Sequence, residues 1–114
     1  MKITIVAVDL RSPAWAFTAV EDYLTRFPRD WKVELKTVKE EPRHGQSKSD
    51  LMAAEADRIR KAIPKGSLLV TLDERGKDLT TVEFAKKLSA WQDSGESVAF
   101  VIGGTDGIDP ALKQ

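Results

Sequence analysis

The sequence predicts an α/β fold: a mostly parallel sheet with helices on both faces, in the order β-α-β-α-β-α-β. Short apolar, β-branched runs at residues 3–8, 68–72 and 98–102 alternate with longer stretches in which apolar residues recur every three or four positions. That alternation requires crossover helices packed on a parallel sheet. The three runs are continuously apolar, as in buried strands, and 68–72 in particular reads as a central strand covered on both faces. Residues 31–38 instead alternate apolar with charged side chains, so this strand has one solvated face and belongs at or near a sheet edge. The 114 residues read as a single domain, 1–114, with no repeat, low-complexity tract or linker.

Taken in order, the elements carry their own start and stop signals. After the strand at 3–8, Ser12 is an N-cap and Pro13 a first helical residue. Phe17, Val20, Leu24 and Phe27 then share one helical face, and Pro28 ends the run. Residues 40–48 are polar, with Pro42 and Gly45, and form a loop. The second helix begins near Ser47 or Ser49, carries Met52, Glu55, Ala56, Ile59 and Ile63 along one stripe, and stops before Pro64-Lys65-Gly66. Thr80 with Glu83 three residues on is a capping box; it opens a helix that buries Phe84, Leu88 and Trp91 and ends near Gly95. Trp15, Trp31 and Trp91 read as core or interface anchors rather than platforms for stacked bases.

Composition excludes several function classes. No apolar run approaches the eighteen or so residues that cross a bilayer, and Asp9 and Arg11 interrupt the one apolar stretch that resembles a leader, so no membrane role is expected. The chain has no cysteine, hence no disulfide and no thiolate metal site, and a cytoplasmic location and no metal are the expectations. Eighteen basic residues balance eighteen acidic ones, which gives no whole-molecule attraction to nucleic acid. The charge is uneven, however: residues 25–48 hold seven basic and four acidic side chains, whereas 72–114 hold five and eight.

In a parallel sheet, ligands bind beyond the carboxyl ends of the strands. Two loops leave such ends, Leu72-Asp73-Glu74-Arg75-Gly76 and Gly103-Gly104-Thr105-Asp106-Gly107. Neither has the G-x-G-x-x-G spacing of a dinucleotide site, and no Gly-Lys-Ser/Thr marks a Walker loop. On the residues alone, a small-molecule site and plain tight turns both remain open. His44, the sole histidine, lies in a polar loop and reads as exposed; Asp73, Glu74 and Asp106 read as solvated loop carboxylates.

The opening Met-Lys-Ile-x-Ile-Val-Ala-Val, Tyr23-Leu24-Thr25-Arg26-Phe27-Pro28, the loop from Thr71 to Lys77, Glu83-Phe84-Ala85 and above all Phe100-Val101-Ile102-Gly103-Gly104-Thr105-Asp106-Gly107 resemble the ribosomal RNA large subunit methyltransferase H family, of the SPOUT class of knotted methyltransferases. The resemblance covers the whole chain. It implies a Rossmann-like part of an α/β knot and transfer of a methyl group from S-adenosylmethionine to N3 of a pseudouridine in large-subunit (23S) ribosomal RNA, within the ribosome, by a homodimer. Leu72 and Gly103 would then contact the cofactor, with Gly104 and Gly107 giving the loop its shape. Arg43, Lys48, Arg75 and Lys77 are candidates for RNA phosphate contacts. No catalytic residue is assigned.

Two positions depart from the family. Asp9 stands where members commonly have glycine. Members also continue for roughly forty residues past the position of Gln114, a span that threads the knot, walls the cofactor site and builds the dimer interface. A chain ending at Gln114 is therefore expected not to methylate ribosomes. The alternatives are a generic nucleotide-binding α/β module and a non-catalytic remnant.

Overall fold

The computed structural model describes residues 1–9, 13–39, 47–72, 76–103 and 112. Its elements are β1 (Lys2–Asp9), α1 (Ala14–Leu24), β2 (Lys32–Lys39), α2 (Lys48–Ala62), β3 (Leu68–Leu72), α3 (Thr81–Asp93) and β4 (Val98–Ile102). The four strands form one all-parallel sheet in the order β2-β1-β4-β3. The expected α/β fold with a parallel sheet is the fold observed.

Strand order sets the layers. With right-handed crossovers, the steps from β1 to β2 and from β3 to β4 run one way across the sheet, and the step from β2 to β3 runs the other. This places α1 and α3 on one face and α2 on the opposite face. Period-two alternation agrees with that division. Val6 and Val8 of β1 and Val101 of β4 pack with Ala56 and Ile59 of α2 and with Leu112, whereas Ile3, Val98 and Phe100 point the other way, toward Leu88 and Trp91 of α3.

Each helix boundary has a local cause. Ser47 caps α2 by accepting from the Asp50 amide at 3.2 Å. The capping box of α3 is present in full: the Glu83 amide donates to Thr80 Oγ1 at 3.1 Å, and the Thr80 amide donates to Glu83 Oε1 at 3.3 Å. Gly95 leaves α3 at φ of +72°, and Gly66, in the Pro64–Ser67 turn after α2, has φ of +80°, a region that penalises a Cβ. Thr80→Ala is expected to destabilise the fold by about 1 kcal/mol, read as a lower urea midpoint with an unchanged slope.

Four expectations are corrected. β3 is not a central strand: it forms an edge, with Leu68 and Leu72 exposed. Its two faces are covered only in part: Leu69 packs toward α2 and Val70 toward α3, yet none of the five residues is buried, and lateral position is set by pairing. Pro13 is the N-cap of α1 rather than its first residue, and no side chain caps that end; Ser12 lies outside the described residues. The apolar stripe of α1 buries no residue, Trp15 is 74% exposed and no core anchor, and Phe27 lies beyond the helix, stacked on Trp31 at 6.1 Å. In α3, Phe84 is exposed, with Leu88 and Trp91 only half-buried. In α2, by contrast, Glu55, Ala56 and Ile59 are buried as expected, joined by Leu51.

Candidate cofactor crevice at the strand ends

Residues beyond the last paired position of a parallel strand keep backbone groups free of the ladder, which is why ligands collect there. Leu72 and Ile102 are register partners at the ends of β3 and β4. The chain therefore leaves the two strands side by side, and Gly103 follows immediately after the last pair. The two loops singled out in the sequence thus start from neighbouring strand ends.

Next to Leu72 lies an open crevice of about 660 Å³ between β3 and α3. Val70, Thr71, Leu72 and Phe100 form its floor, Phe84 and Trp91 its aromatic wall, and Gly76, Lys77 and Thr80 its mouth. Phe84 and Trp91 both meet Phe100 edge-on, at ring separations of 5.9 and 6.3 Å. The T-shaped contacts fix the wall geometrically, since the positive ring edge is attracted to the facing π-cloud. A mostly apolar crevice of this size with a few polar groups at its mouth is of the kind that accepts a small molecule. Leu72, 53% exposed, presents an apolar side chain to it.

The candidate residues do not all converge. Leu72 and Lys77 border the crevice, whereas Gly103, half-buried at the end of β4, does not line it. Lys48 is exposed in the first turn of α2, on the opposite face of the sheet from Lys77. Arg43, His44, Asp73, Glu74, Arg75, Gly104, Asp106 and Gly107 lie outside the described residues. Sequence reasoning missed the wall itself, because Phe84 and Trp91 sit on a helical stripe that reads as core; the available signal was that this stripe starts at a capping threonine just past a strand end. Among the described residues no cluster of histidine and carboxylate side chains could hold a metal ion, and no helix is long and apolar enough to cross a membrane.

A methyl donor with an adenosine moiety needs an apolar wall for its base and backbone groups that approach closely. Leu72 with the aromatic wall, and the unpaired strand end at Gly103, are suited to those two needs.

A family model described as "Predicted SPOUT methyltransferase" matches residues 1–114. Proteins named "Ribosomal RNA large subunit methyltransferase H" from Paracidovorax citrulli, Acidovorax sp. (strain JS42) and Verminephrobacter eiseniae are 56%, 55% and 54% identical to the chain. In each case the match covers 100% of this chain and 74% of the relative. A family match along the whole length, at this level of identity, shows that the chain belongs to the SPOUT methyltransferases, within the ribosomal RNA large subunit methyltransferase H family.

Proposed function

We propose that this chain serves S-adenosylmethionine-dependent methylation of N3 of a pseudouridine in large-subunit ribosomal RNA. The observation that carries the reading is the adjacency of the Leu72 and Ile102 strand ends, in a chain whose relatives are named as ribosomal RNA methyltransferases. The cofactor supplies an electrophilic methyl group on a sulfonium. Leu72 provides the apolar wall, the lack of a side chain at Gly103 allows close backbone approach, and Gly104 and Gly107 shape the following loop. Lys77 at the crevice mouth, with Arg75, Arg43 and Lys48, contributes phosphate contacts that orient the RNA. N3 is an imide nitrogen that must lose its proton to attack the methyl group, so holding both substrates in line is the main task of the site.

A homodimer working in the cytoplasm completes the proposal. Trp15, Phe17 and Tyr23 of α1 and Val82 of α3 are large apolar side chains left exposed, as surfaces that meet a second subunit are.

The test is transfer of labelled methyl to ribosomes carrying the unmodified pseudouridine, with the chain at the length its relatives have. Label at N3 in large-subunit RNA is expected, and label in small-subunit RNA or protein would overturn the assignment. Calorimetry separates this reading from a nucleotide-binding module: S-adenosylmethionine binds and ATP or NAD does not.

A further inference from the structure

Lys2 and Lys32 are register partners at the first positions of β1 and β2, both exposed and on the sheet face that carries α2. Like charges set side by side on neighbouring strands cost stability. The last turn of α2 reaches the same end of the sheet with Arg60 and Lys61, followed by Lys65 in the exposed turn before Gly66. Lys36 is tied to this end by donating to the Ala62 carbonyl at 3.1 Å. The negative pole of the helix holds such cations favourably. A shallow groove of about 370 Å³ opens beside them, lined by Arg60, Lys65, Gly66, Ser67 and Leu69.

Acidic side chains offset only part of this band. Asp57 is taken by Arg60 at 3.2 Å, and Glu34 stands between Lys32 and Lys36 on the same strand face. Asp30 and Glu96 precede β2 and β4 at this end. Among the described residues Lys2, Lys32, Lys61 and Lys65 have no acidic partner. By register Lys2 sits five positions before the level of Leu72, so the band lies roughly 16 Å along the strands from the Leu72 end of the crevice. It is too remote to touch the reacting base.

We infer that this band, Lys2, Lys32, Lys61 and Lys65, is a second RNA-binding surface that grips phosphates of the substrate RNA away from the methylated nucleotide. The inference rests on the proposed action on ribosomal RNA and adds where that RNA is held. Phosphate backbone suits it because exposed lysines act as point charges and read no bases. Their work is affinity and salt dependence, not chemistry.

The experiment compares wild type with Lys32→Glu/Lys61→Glu/Lys65→Glu, and with the milder triple change to glutamine, for binding to purified large-subunit RNA and to whole ribosomes between 50 and 200 mM salt. Circular dichroism checks the fold, and calorimetry with S-adenosylmethionine reports the crevice separately. Affinity is expected to fall at least tenfold in the glutamine variant and further in the glutamate one. The slope of log affinity against log salt should drop by roughly two to three for three phosphates lost, with cofactor binding unchanged. Unchanged affinity and slope in folded variants would overturn this inference while leaving the proposed function standing. Normal binding to naked RNA but weakened binding to whole ribosomes would also overturn it, by placing an acidic protein on this face. Failure of the wild type to bind either the RNA or whole ribosomes would overturn both.

Discussion

Val101→Asp is expected to abolish cooperative folding. Val101 is fully buried in β4, between β1 and β3, and packs with Val6, Val8, Ala56, Ile59 and Leu112. A carboxylate there has no described cationic partner in that cluster, and the desolvation of an unpaired charge exceeds about 5 kcal/mol. That is comparable with the whole stability of a small domain, about 5–15 kcal/mol. Ile102→Asp, one residue along the same strand but exposed, is expected to cost less than about 1 kcal/mol. Urea melts followed by far-ultraviolet circular dichroism compare the two; a wild-type midpoint for Val101→Asp would refute the assigned core.

Gly103→Val is expected to remove S-adenosylmethionine binding without unfolding the chain. Gly103 lies just past the last pair of the β3–β4 ladder, where the proposed cofactor approaches backbone rather than side chain. A branched side chain at that point occupies the ligand's space, and a loss of at least a hundredfold, or about 2.7 kcal/mol, is the expected calorimetric result. Leu72→Ala keeps the backbone and removes only part of the apolar wall, so a smaller loss, on the order of tenfold, should accompany it. Full affinity in a folded Gly103→Val protein would mean that the cofactor does not approach the backbone at Gly103.

The candidate site was only partly legible in the sequence. The strand ends at Leu72 and Gly103 announced themselves because a buried apolar run followed by glycine and charge is a local pattern. The crevice wall was hidden, since an aromatic on a helical stripe has the same spacing whether it faces core or a cleft. Phe84 shows the ambiguity: it meets Phe100 edge-on yet remains exposed. The cationic band at the other end was still less visible, because Lys2, Lys32, Lys61 and Lys65 are far apart in the chain and come together only when β1 pairs with β2 and α2 folds back across them.

Elements and their caps were determined by the sequence itself. Period, capping residues and turn glycines act within a few positions, so the order of strands and helices, the Thr80–Glu83 box, the turn at Gly66 and the helix exit at Gly95 follow from short-range chemistry. Lateral order was decided only by tertiary structure. A run such as Leu68–Leu72 encodes an apolar strand, but neither how fully its faces are covered nor which strands lie beside it, and pairing left it at an edge while β1 and β4 took the centre. The same holds for α1: its sequence prescribes an apolar stripe, and whether that stripe is buried depends on what the rest of the fold, or a second molecule, lays against it.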